Sequence, residues 1–142
     1  EDFCLGPGQN ALQPQELLVS ISIPKPVADS GAFFLRFIPR NEMDIAVVNA
    51  AANVTLSADG QTFQSARIAI GAVAPTPLYV EAAGAALAGQ PVNEATIAKA
   101  CAAAQAAAVP ITDMRGTIEQ RKHLVGVLVK RVVNTAVARA RG

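Results

Sequence analysis

With 142 residues and a net charge of +1, the chain has the length of one ordinary domain and can bury a core without metal or disulfide support. Its hydrophobic share of 51% is largely alanine, and no run of about 18 apolar residues exists, which excludes a membrane span. One histidine, two cysteines (Cys4 and Cys101) and no Cys-x-x-Cys exclude a zinc or iron–sulfur site and a disulfide framework. Such cysteine usage points to a reducing, cytoplasmic compartment. No basic-then-apolar leader opens the chain, and Glu1 in place of Met points to a fragment of a longer product.

Residues 1–15, with Gly6-Pro7-Gly8 and Pro14, read as a connector. From Glu16 to Ile23 the residues alternate, Leu17, Val19, Ile21 and Ile23 against Ser20 and Ser22, which predicts a half-buried strand stopped by Pro24 and Pro26. Ala32–Ile38 is a second strand with Phe33, Leu35 and Phe37 on one face and Phe34, Arg36 and Ile38 on the other. Pro39 ends it. The best strand is Ile45–Ser57, whose period-2 pattern outweighs its alanine content. Asp59-Gly60 suits a tight hairpin turn, and Ser65–Val73 returns with Ala66, Ile68, Ile70 and Ala72 inward and Arg67 outward.

The remainder is helical. Leu78–Ala88 reads as an alanine-rich helix closed by Gly89. Asn93 caps a helix over Glu94–Ala108 that Pro110 terminates. Thr117 with Gln120 begins a third helix, whose apolar stripe holds Ile118, Leu124, Val125, Leu128, Val129, Val132 and Ala136. Strands first and helices last predict an α+β fold: an antiparallel sheet of three to four strands with three helices on one face. A single domain is expected over 16–142, with strands over 16–75 and helices over 78–140.

Candidate chemistry concentrates after the aromatic strand. Arg36 lies on that strand, and Arg40, Asn41, Glu42 and Asp44 crowd the loop behind it. Cationic donors there suit an anionic or electron-rich ring edge; the plain alternative pairs Arg36 with Asp44 or Glu42 to fix the loop. His123 reads as a surface histidine and Cys101 as a packing residue. Gly6-Pro7-Gly8 lacks the Lys-Ser/Thr of a phosphate loop. From Arg115 onward seven basic residues face one acid, Glu119, which fits a docking surface or a solvated helix face. That helix has no aromatic for base stacking, so nucleic-acid binding is not expected.

The segments ELLVSISIP, FFLRFIPRNEMDIAVVNAAANVTL, ARIAIGAVAPTPL and ITDMRGTIEQRKHLVGVLVKR, collinear over roughly Phe3 to Arg139, resemble the C-terminal domain of the FAD-binding (medium) subunit of molybdenum hydroxylases. That family includes aerobic carbon monoxide dehydrogenase and xanthine dehydrogenase. The resemblance implies a fragment of an oxidoreductase subunit, not catalytic alone. A molybdenum-containing large subunit oxidises the substrate, a small subunit with two [2Fe–2S] clusters relays electrons, and the flavin subunit passes them to an external acceptor. FAD is then held mainly by the FAD-binding domain of the same subunit, with Arg36, Arg40 and Asp44 as this chain's cofactor-edge residues. Position 36 matches a usual Lys near the flavin ring, and Arg40 a frequent basic position. Asn41 stands where a second basic residue is common. No catalytic or metal-binding residue is expected in this chain. A domain that only docks subunits, without flavin contact, is the alternative.

Overall fold

The computed structural model describes residues 3–41 and 43–142. A small two-stranded sheet of β1 (Cys4–Gly6) and β2 (Gln9–Asn10) precedes the main, four-stranded one. The latter contains β3 (Ser30–Phe37), β4 (Val48–Leu56), β5 (Phe63–Gly71) and β6 (Leu78–Tyr79) in antiparallel sequential order. Three helices follow, α1 (Glu81–Leu87), α2 (Glu94–Ala107) and α3 (Ile118–Ala140). The α+β reading holds, and all three helices come after the main strands.

Alternation sets the layers. In β4, Val48, Ala50, Ala52, Val54 and Leu56 are buried, and in β5 Ile68 and Ile70; β4 packs against α3 and β5 against α1, with α2 packed on both α1 and α3 to complete the layer. Small residues allow the backbones to approach. Gly31 in β3 lies under α3, and Gly84 in α1 lies on the Ala66 carbonyl of β5. The caps follow the sequence: Asn93 Oδ1 accepts from the Thr96 N–H at 2.8 Å, and Thr117 Oγ1 from the Gln120 N–H at 3.1 Å. Lys130 of α3 pairs with Glu94 of α2. Cys101 packs beside the core, and burial pushes its thiol up, away from reactivity.

Four expectations change. The strand expected over 16–23 is not formed; Leu17, Val19, Ile21 and Ile23 are 85%, 91%, 76% and 87% exposed. The sheet takes its fourth strand from Leu78–Tyr79, pairing with Ala69 and Ile70, so the first helix begins at Glu81 rather than Leu78. Gly60 alone at the Asp59-Gly60 step has a positive φ, of 67°. Its N–H donates to Ser57 within a connection spanning 57–62 rather than a two-residue turn. The Asp59 carboxylate braces that connection, accepting from the Ser57 hydroxyl and the Gln61 N–H. Finally β5 ends at Gly71, and Ala72, expected inward, is exposed at φ 63°.

Candidate functional site

The helix-free face of the sheet is built from the alternate residues of each strand. The register sets Arg36 opposite Asn49 and Asn49 opposite Gly71. A side chain at Gly71 would meet Asn49 Oδ1 at 2.5 Å, so the missing Cβ is what lets Asn49 lie across the strand. One step along, Phe34, Ala51, Ala69 and Tyr79 form a row across all four strands. Adjacent strands lie about 4.8 Å apart, giving a row roughly 14 Å long. Two alanines make its floor and two aromatics its ends. Arg67 stacks over the Tyr79 ring at 4.7 Å. A mostly apolar trough of about 740 Å³ lies here, lined among others by Phe34, Ala51, Ala69, Arg67, Tyr79 and Phe3.

The corner after β3 is separate from that trough. The Arg36 side chain is exposed and, among the described residues, makes no hydrogen bond or ion pair. Asp44 is spent on the loop itself. Its side chain is 7% exposed, accepts from the Arg40 N–H at 2.9 Å and lies 3.6 Å from Arg40 Nε. The Arg40 side chain remains 75% exposed. The pairing of Arg36 with Asp44 therefore does not occur, and Glu42 lies outside the described residues. Met43 stands fully exposed at φ 45°, a backbone conformation uncommon for a residue other than glycine. Arg36, Arg40 and Asp44 thus share one corner, and none of them lines the trough.

Behind the corner lies a cation that the helical wheel left among the basic surface residues. Arg121, on the buried side of α3, is 4% exposed. Its Nη1 donates to the Val47 carbonyl at 2.7 Å and the Ala72 carbonyl at 3.2 Å, and its Nη2 donates to Asp113 at 2.7 Å. Val47 in turn donates its N–H to Phe37, so Arg121 anchors the far end of the loop that carries Arg40 and Asp44. The Asp113 carboxyl is held below its ordinary value of 3.8, first by the Arg115 backbone N–H and then by Arg121. A lowered folded-state value stabilises the fold fully above the unfolded value, and the gain is lost as pH falls through the folded one. Asp59 and Glu119 are shifted the same way. Urea midpoints taken from about pH 5 down to about pH 2 should fall, and Asp113→Asn should make that acid limb shallower. An unaltered limb would place the proton uptake elsewhere.

Tyr79 was hidden from sequence reading because the alanines behind it suggested an earlier helix start. The signal was present: Leu78-Tyr79-Val80 directly after Pro75 and Pro77 is β-prone chain behind a double stop. Among the described residues no cluster of three or more His, Cys, Asp or Glu is placed to hold a metal, and no helix is long and apolar enough to cross a membrane.

Residues 33–136 match the profile of the CO dehydrogenase flavoprotein C-terminal domain. The chain belongs to that family. It is 37% identical over 140 residues to the carbon monoxide dehydrogenase medium chain of Afipia carboxidovorans, covering 99% of this chain and 48% of the relative. It is 31% identical over 141 residues to a putative xanthine dehydrogenase FAD-binding subunit of Escherichia coli, with the same coverage. Among solved structures, carbon monoxide dehydrogenase from Hydrogenophaga pseudoflava superposes with a TM-score of 0.92 at 34% identity, over 97% of this chain and 47% of that one. Quinoline 2-oxidoreductase from Pseudomonas putida superposes at 0.89 with 30% identity, over 99% and 48%. The chain thus spans about half the length of these relatives, which are subunits of oxidoreductases.

Proposed function

We propose that this chain is the C-terminal capping and docking domain of the FAD-containing electron-transfer subunit of a molybdenum hydroxylase complex. The complex is cytoplasmic, with a molybdenum-containing large subunit and a [2Fe–2S] small subunit as further partners. The supporting observation is similarity over nearly the whole of this chain to about half of a putative FAD-binding subunit, together with an exposed strand end whose guanidinium has no partner among the described residues. Bound FAD supplies a reversible electron acceptor between the iron–sulfur clusters and an external oxidant. The residues present fit one edge of that cofactor and not the whole of it. Arg36 offers a planar fork of N–H donors to ring oxygens or nitrogens. Arg40 adds a second cation, oriented by Asp44, and Phe34 on the same face offers an apolar ring beside it. No glycine-rich loop running from a strand into a helix is present among the described residues to cradle a pyrophosphate.

The isolated chain should therefore purify without a stoichiometric flavin absorbance. In the full subunit, Arg36→Gln removes a charge-assisted hydrogen bond worth about 1.5–3 kcal/mol, so flavin reoxidation should change by roughly tenfold or more. Unchanged reduction and reoxidation would favour the alternative, a domain that only docks subunits. The confinement of Asp44 to its own loop is the observation on that side.

A further inference from the structure

Asn49 is a polar residue where a plain one would cover the sheet as well. It stands on the helix-free face of β4, between Arg36 of β3 and Gly71 of β5. Its side chain is half-buried and, among the described residues, makes no hydrogen bond. The carboxamide lies over Gly71: a methyl built there would sit 2.5 Å from Oδ1, 3.0 Å from Nδ2 and 3.1 Å from Cγ. No turn demands glycine at this position, because Gly71 has no positive φ. Alanine at 71 would fill the same space with its own methyl and lose less backbone freedom on folding. A half-buried amide without a partner adds a desolvation cost of its own. Glycine and asparagine together therefore hold a carboxamide at one spot at the expense of stability.

That spot completes a pattern. Arg36 presents donors only, whereas a carboxamide presents a donor and an acceptor side by side. Neighbouring strands set the two residues about 4.8 Å apart. The next row along the face supplies the Phe34 ring and the methyl groups of Ala51 and Ala69, a low apolar floor for a flat ligand. A ring edge that alternates carbonyl, N–H and carbonyl is complementary to such a pair. Its carbonyls take the guanidinium, but its N–H needs an acceptor, which neither Arg36 nor Arg40 can supply. Asp44 is already engaged by Arg40. Asn53, four residues further along the same face of β4, has a different setting: it is exposed and stands between Ala32 and Arg67.

We infer that Asn49 is a further cofactor-edge residue. Together with Arg36 it recognises the imide edge of the flavin ring, the N–H flanked by two carbonyls, and Gly71 is the bare backbone that seats its carboxamide. This rests on the reading of the chain as part of an FAD-binding subunit. Arg36 supplies charge to the carbonyls, and Asn49 supplies the acceptor that makes the recognition specific to a protonated ring nitrogen.

Equilibrium FAD affinity of the flavin-depleted full-length subunit tests it, read from flavin fluorescence. Asn49→Ala should weaken binding about fivefold. Gly71→Ala should do the same, because its methyl meets the flexible end of Asn49 rather than backbone and displaces the carboxamide. Asn53→Ala should stay within about twofold of wild type. FAD methylated at the imide nitrogen separates recognition from packing. Wild type should discriminate against it, relative to FAD, about fivefold more strongly than Asn49→Ala does. If Asn49→Ala does not fold, Gly71→Ala with the two flavins still decides. Undiminished discrimination in the variants overturns the inference, and so does an equal loss of affinity in Asn53→Ala, which assigns the effect to the sheet face as a whole. Weaker FAD binding in Arg36→Gln but not in Asn49→Ala sinks this inference and keeps the flavin reading. Unchanged affinity in both sinks the two together.

Discussion

Gly31→Ala is expected to destabilise the domain by about 3 kcal/mol, lowering its thermal midpoint by about 10 °C or more. A methyl group built there falls 2.1 Å from the Ala136 carbonyl oxygen and 2.7 Å from the Ala140 nitrogen. Both atoms are backbone of α3, so no rotamer relieves the clash and the helix must lift from the sheet. That movement separates Val132, Val133, Ala136 and Val137 from the sheet, all of them buried in the common core, and lost dispersion contacts then add to the steric cost. Gly126→Ala provides the contrast. Its new methyl meets the amide end of Gln105 at 2.8 Å, a side chain free to move at the cost of its hydrogen bond to Lys122. The helix gains up to about 1 kcal/mol of propensity in exchange, so this variant should remain within about 1 kcal/mol of wild type. Equal stability of the two variants in urea unfolding would show that α3 rides loosely on β3.

The sheet was legible where alternation is backed by burial, and lost where it is not. β4 and β5 announce themselves because their apolar residues fall on one side and meet the helices there. Glu16–Ile23 shows the same alternation, but periodicity states only that one face seeks cover, not which body provides it. Conversely, β6 has two residues, too few to show any period, and its place depends on pairing with Ala69 and Ile70. The corner of Arg36, Arg40 and Asp44 was readable as a place. The division of labour within it was not, because only distances reveal that Asp44 serves Arg40 rather than Arg36.

Arg121 is the sharpest case of chemistry hidden by averaging. A helical wheel counts it as one more charge on a basic helix, yet it is buried with three neighbours to satisfy. Arg121→Ala should cost about 3 kcal/mol, since the buried Val47 carbonyl loses its donor and the side-chain stem leaves a void. Arg121→Lys should cost about 1–2 kcal/mol, because a single ammonium reaches the Val47 carbonyl or Asp113 but cannot fork between them. A local consequence distinguishes anchoring from general packing. Val47 is held through its N–H to Phe37 and through its carbonyl to Arg121, and releasing the second tie loosens the connection in which the exposed Arg40 sits. Under conditions where the fold persists, trypsin should cut after Arg40 faster in Arg121→Ala than in a core variant of equal stability such as Val129→Ala. Val129 is buried in the common core and makes none of these bonds. Equal cleavage rates at matched stability would mean that Arg121 supports the core as a whole and leaves the corner of Arg36, Arg40 and Asp44 to hold itself.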